Sequence, residues 1–154
     1  MNMESPRKVK PDHEIRPLDA SLPIQLLAAH DAVMGYFRPM LNRFEMTDQQ
    51  WRVLRTIAAR GSVDFRALGE ATLIQPASLS RMLDGMESRG WITRTAGRDR
   101  RQRTVTMTET GGVLFADAAA ETEAIYARLE ADLGPAYASA IGALNAIVKR
   151  VSTK

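Results

Sequence analysis

From Ser21 onward, apolar residues return at helical intervals. Leu22, Leu26, Val33, Phe37, Leu41 and Phe44 are spaced by three, four and seven residues, which places them on one face of an amphipathic helix. Pro39 lies inside that run without an amide hydrogen to donate, and it predicts a kink or a boundary near Arg38. Thr47 stands three residues before Gln50, the spacing of a capping box, and Trp51, Leu54 and Ile57 then share a face. A second helix is expected to about Arg60. Gly61 ends it, Ser62 to Asp64 reads as a short extended piece, and Phe65 to Leu73 as a third, short helix.

Gln75 and Pro76 open a fourth helix, with proline at its favoured first position. Leu79, Met82, Leu83 and Met86 form its apolar stripe, and Gly90 terminates it. At 100° per residue the opposite face carries Ala77, Arg81, Asp84 and Ser88, flanked by Ser78 and Ser80. Small hydroxyl side chains around one arginine suit close approach to another polymer. Asp84, three residues after Arg81, is placed to hold that arginine in orientation. Two alternating runs follow, Ile92 to Ala96 and Arg103 to Met107, joined by Gly97 to Gln102, and they read as a β-hairpin. Thr108 caps a long helix with Val113, Ile125, Leu129 and Leu133 as its apolar positions. Gly134 and Pro135 break it before a last helix bearing Tyr137, Ile141, Leu144, Val148 and Val151 on one face.

At 154 residues, with 45% hydrophobic and 25% charged side chains, the chain is expected to be one globular domain, or one domain with extensions. With no cysteine, a disulfide scaffold, a thiolate metal site and a cysteine nucleophile are excluded, and a reducing cytoplasm is the expected compartment. No run of eighteen apolar residues is present, and Met1 to Ala20 lacks the apolar core of an export signal, so no membrane is expected as a partner. In 1–19 the basic Arg7, Lys8, Lys10 and Arg16 balance Glu4, Asp12, Glu14 and Asp19. With three prolines and little to bury, 1–20 is expected to be a flexible extension, the alternative being an arm that packs on a partner subunit. The remaining boundaries are 21–46 for an N-terminal helix, 47–108 for the central helices with the hairpin, and 109–154 for the C-terminal helices.

Net charge is only +3, yet it is unevenly spread. Arg89, Arg94, Arg98, Arg100, Arg101 and Arg103 face Asp99 alone, whereas Glu109 to Asp132 holds six carboxylates against Arg128. Such a run is often no more than a solvated face. Here it follows a helix whose exposed side is small and polar, which makes a mainly α fold with a small β-hairpin wing, a winged helix-turn-helix flanked by dimerisation helices. The major groove of duplex DNA admits one helix, and a narrow minor groove attracts an inserted arginine. Gln75, Pro76, Ser78, Ser80 and Arg81 are therefore expected at bases and phosphates of the major groove, and Arg98, Arg100 and Arg101 at the minor groove. Two copies related by a two-fold axis would read a palindrome with half-sites roughly 34 Å apart.

The run Asp99-Arg100-Arg101, followed by Val105-Thr106-Met107-Thr108 and Gly111, resembles the wing signature of the MarR family of winged-helix transcriptional regulators. Met107 replaces the usual leucine at similar volume. Ile74 to Arg94 also resembles that family's recognition helix and first wing strand, and the likeness spans about Ser21 to Val151. It implies that Arg101 enters the minor groove, held by Asp99, and that the protein is an obligate dimer built from its first and last helices. Upstream, Met34 to Pro39, Arg43 and Thr47 to Arg52 look like the homoprotocatechuate-catabolism repressors of that family, which respond to hydroxyphenylacetate-type acids.

The implied function is a dimeric repressor of a palindromic operator, released by a small aromatic carboxylic acid. The alternative is a winged-helix regulator without a small-molecule effector. Candidate effector residues are His30, Met34, Phe37, Arg38 and Trp51, an apolar bed with a cation for the carboxylate. Each has a plainer alternative: Trp51 and Phe37 as core, His30 as an interface histidine, Arg38 as a surface charge. No glycine-rich phosphate loop is present and there are only two histidines, so neither catalytic residues, a resident metal nor a cofactor is expected.

Overall fold

The computed structural model describes residues 16–96 and 103–152. They divide into two compact units, one ending at Met34 and one beginning at Gly35. The first unit holds a single 3₁₀ turn, Leu18–Ala20, and the start of α1 (Leu22–Arg43). None of its described residues is buried, and Leu18, Leu22, Ile24 and Leu27 are exposed. The rest of the predicted extension, residues 1–15, lies outside the described residues.

Pro39 does not end α1, which continues to Arg43. Proline removes the bond that would reach the Gly35 carbonyl, but Gly35 and Pro39 are both exposed, so water can take that carbonyl's free lone pairs. The helix α2 (Asp48–Arg60) starts on the expected capping box. The Gln50 amide donates to Thr47 Oγ1 at 3.1 Å and the Thr47 amide to Gln50 Oε1 at 2.9 Å. Asp64 caps α3 (Phe65–Thr72), which stops one residue earlier than the periodicity suggests because Leu73 turns into the left-handed region. The fourth helix, α4, spans Pro76–Ser88.

Strands β1 (Ser62–Asp64), β2 (Ile92–Ala96) and β3 (Arg103–Met107) form one antiparallel sheet in the order β1-β3-β2. The anticipated hairpin thus gains a third strand, with Val63 opposite Val105 and Arg94 opposite the same valine on the other side. Buried Val63, Ile92 and Val105 explain the gain, since two strands alone bury too little to be stable. The core is completed by Val53, Leu54 and Ile57 of α2, Leu68 of α3 and Leu79, Leu83 and Met86 of α4, all essentially without exposed surface.

The long helix α5 (Glu109–Leu133) begins against the end of α4. Thr108 Oγ1 accepts the Gly111 amide at 3.0 Å and donates to the Gly90 carbonyl at 2.5 Å, while the Thr108 amide reaches the Trp91 carbonyl at 3.1 Å. After Gly134, α6 (Pro135–Val151) buries none of its residues, and Ile141, Leu144, Val148 and Val151 remain exposed on it. Of the four apolar positions anticipated for α5, Leu129 is buried, Ile125 half-buried, and Val113 and Leu133 exposed.

At Gly111 the chain leaves no room for a side chain, for a Cβ there would overlap the Trp91 carbonyl oxygen. Gly111→Ala is expected to cost about 2–3 kcal/mol, the range of overpacking against groups that cannot retreat. Urea denaturation checks this, and an unchanged midpoint would show that the joint between α4 and α5 yields.

Candidate nucleic-acid interface and ligand cluster

Burial of Leu79, Leu83 and Met86 directs the opposite side of α4 to solvent. Gln75, Pro76, Ala77, Ser78, Arg81, Asp84 and Ser88 are exposed there, Ser80 is half-buried, and Met82 is only partly covered. Gln75 is the N-cap residue yet its side chain makes no capping bond. Arg81 has no ion pair or hydrogen bond among the described residues. Asp84 does not orient it. Asp84 Oδ1 instead pairs with Arg94 Nη2 of β2 at 2.8 Å.

Arg94 explains that choice. Its side chain is only 20% exposed, so its charge needs close partners. Glu87, one turn beyond Asp84, accepts from the Arg94 amide at 3.0 Å, from Nε at 2.9 Å and from Nη2 at 2.5 Å. Those guanidinium bonds hold the Glu87 carboxyl below its ordinary value and raise Arg94 above its own. Arg89 is committed as well. Its guanidinium lies 3.9 Å above the Trp91 ring and donates to the Glu45 carbonyl at 2.8 Å and carboxylate at 3.2 Å. Two of the six arginines that make the segment basic are therefore used inside the fold. Arg103 is exposed at the start of β3, whereas Arg98, Arg100 and Arg101, with Asp99, lie outside the described residues.

The ligand candidates are divided. His30, exposed, and Met34, half-buried, belong to the first unit; Phe37, Arg38 and Trp51 belong to the second. Phe37 and Trp51 are 6% and 5% exposed. Phe37 meets Tyr126 of α5 edge-on at 5.2 Å between centroids, and Trp51 stacks on Phe115 at 5.2 Å. Arg38 is exposed beside Pro39. The cation on the Phe37–Tyr126 pair is Arg55, one helical turn after Trp51, whose Nη1 donates to the Tyr126 hydroxyl at 3.1 Å. Sequence reasoning missed both residues. Arg55 could have been found from its spacing to Trp51, but Tyr126 is 71 positions away and carries no local signal. A separate cleft of about 510 Å³ opens between α1 and α5, lined by Tyr36, Met40, Arg43, Glu121, Ile125 and Arg128. None of the sequence-derived ligand candidates lines it.

A helix with a small polar outer face, packed on α3 and backed by a three-stranded sheet, defines a winged helix-turn-helix transcriptional regulator. Residues 44–102 match the sequence profile of the MarR family. The homoprotocatechuate degradative operon repressor of Escherichia coli is 38% identical over 112 residues, covering 72% of this chain and 76% of that protein. The crystal structure of NadR in complex with 4-hydroxyphenylacetate has 31% identity and a TM-score of 0.70, over 95% of this chain and 96% of that one. CouR, a transcriptional repressor solved on a 23-mer DNA duplex, has 25% identity and a TM-score of 0.75, over 86% and 94%. The chain belongs to the MarR family of transcriptional regulators. Among the described residues no helix is long and apolar enough to cross a membrane.

The bonds between Glu87 and Arg94 make a pH prediction with a definite sign. A carboxyl whose value is depressed on folding contributes stability above its ordinary value of 4.5 and loses it as pH falls through the depressed one. Wild type should therefore melt above Glu87→Gln at pH 6, and the gap should close on acidification toward pH 3. A gap that stays constant across that range would mean that the ionised Glu87 carboxylate contributes nothing.

Proposed function

We propose that the chain is a homodimeric, ligand-responsive repressor that binds a palindromic operator and leaves it when a small aromatic carboxylate binds. The observation that carries the DNA half is the outer face of α4, where Arg81, without a partner among the described residues, stands among small polar side chains. In this reading Gln75, Pro76, Ser78, Ser80 and Arg81 meet the major groove, with Arg81 donating two bonds to one guanine. Arg98, Arg100 and Arg101 take the minor groove. The DNA-bound CouR structure supports this assignment by likeness of fold. Residues 47–108 form the reading domain, and 21–46 with 109–154 form the dimer. The uncovered apolar stripe of α6 supports a second copy as its cover. The site of action is the cytoplasm.

Arg55 carries the ligand half. A guanidinium bonded to the Tyr126 hydroxyl, with Phe37 edge-on to that ring and Trp51 one helical turn before the cation, matches an acid with an aromatic ring: ring against the aromatic pair, carboxylate on the cation. His30, Met34 and Arg38 remain candidates for its surroundings. The likeness to the homoprotocatechuate degradative operon repressor of Escherichia coli and to NadR in complex with 4-hydroxyphenylacetate supports an aromatic-acid ligand of hydroxyphenylacetate type. A regulator without an effector is the rival reading, favoured if no such acid changes DNA binding.

Fluorescence anisotropy on the promoter upstream of the protein's own gene, with and without 4-hydroxyphenylacetate, tests both halves. Arg81→Ala should lose about 1–3 kcal/mol of operator affinity and relax base preference at one position per half-site. An unchanged preference profile removes Arg81 from the readers. Arg55→Gln should keep operator affinity while weakening the acid about 10- to 150-fold, the equivalent of a lost hydrogen bond to a charged group. Normal release by that variant would place the carboxylate elsewhere.

A further inference from the structure

Two helix ends in this protein are built alike and are joined by one arginine. At the end of α4 the Trp91 amide donates to the Met86 carbonyl at 3.0 Å, and Gly90 takes the left-handed position at φ 71°. Glycine is the residue such a turn favours. At the end of α1 the Met46 amide reaches the Leu41 carbonyl at 2.9 Å and the Glu45 amide the Asn42 carbonyl at 3.1 Å. The pattern is the same, yet its left-handed position, at φ 50°, is filled by Glu45. An L side chain is disfavoured where glycine is free.

Fold stability does not explain that glutamate. The Arg89–Glu45 pair is well exposed, at 38% and 82% of the two side chains, and exposed pairs contribute little. What the strained turn achieves is placement: carbonyl and carboxylate of one residue both face the Arg89 fork, and the guanidinium rests on Trp91. Arg89 is the C-cap residue of the reading helix. Glu45 lies in the turn between α1 and α2, the helices that carry Phe37 and Arg55 of the proposed ligand site.

We propose that Arg89 is a positioning residue that couples ligand binding to DNA reading, passing a shift of the α1–α2 turn to the end of α4. This rests on the ligand response proposed above. An exposed pair suits the task because it can be made and broken at little cost, whereas the buried stripe of α4 cannot.

The experiment measures operator affinity of the full chain by anisotropy, with and without saturating 4-hydroxyphenylacetate, for wild type, Arg89→Gln and Glu45→Gly, alongside thermal melts of each. Wild type should weaken by the ~5–150-fold typical of coupled sites, and Arg89→Gln should change by less than about threefold while binding operator nearly as well in the absence of acid. Glu45→Gly, which relaxes the turn, should melt no lower than wild type yet respond less to the acid; it decides the matter if Arg89→Gln fails to fold. A wild-type response in the folded variant overturns the relay and leaves the ligand response standing. If wild type binds operator but neither its affinity nor its melting temperature moves with the acid, the ligand response falls and the relay falls with it.

Discussion

Leu79, Leu83 and Met86 occupy one side of α4 with no measurable exposure, and everything the protein presents to DNA in the proposed reading follows from that burial. Each such side chain contributes about 1.5–3 kcal/mol when removed from water. The net stability of a whole domain is only about 5–15 kcal/mol, so turning the helix by one residue, which would expose the stripe, is not available to the folded state. Because successive residues lie 100° apart, the same constraint holds Ser78, Arg81 and Asp84 outward. The outer face is thus set by apolar residues that never touch a ligand.

Charge shows a similar division of labour. The arginines between Arg89 and Arg103 look equivalent along the chain, but Arg94 is enclosed by Glu87 and Asp84 of α4, and Arg89 is drawn to Glu45. Enclosing Arg94 between two carboxylates of the helix pins β2 to α4 through four hydrogen-bonding contacts. A strand held in this way presents the start of the wing in one orientation before any partner arrives, which lowers the ordering cost of association. The neutralised arginines organise the unit, whereas Arg81, with no ion pair or hydrogen bond among the described residues, stays available for the contact proposed above.

The elements that were legible in the sequence are those whose signal is local. Thr47 with Gln50, Pro76, Thr108 and the Gly134–Pro135 break each mark a helix end through the chemistry of a few neighbouring residues, and the structure places the ends there. What could not be read depends on distance along the chain. Pairing of β1 with β3 joins Val63 to Val105, and Arg55 finds Tyr126 across two helices. Pro39 marks no helix boundary because a missing amide ends a helix only where nothing else can satisfy the freed carbonyl, and Gly35, which carries it, is exposed. Asp84 misled because spacing on one helix predicts a neighbour, while a half-buried arginine from another strand is the stronger claimant.

The C-terminal helix supplies the last step. Seventeen residues form α6, none of them buried, with four large aliphatic side chains left in water. Such a stripe exposes more apolar surface than a helix of this length needs, and a second copy covering it would recover about 25 cal/mol for each Å². Through Gly134 α6 continues α5, and the first turn of α5 closes on the end of α4 at Gly111, where not even a methyl group fits. Within the second compact unit, then, α5 and α6 follow directly on the end of the helix that would read the operator. In the proposed dimer the separation of the two reading helices would therefore be a property of how α5 and α6 pack, and a ligand need repack only a helix contact to move both readers off their half-sites.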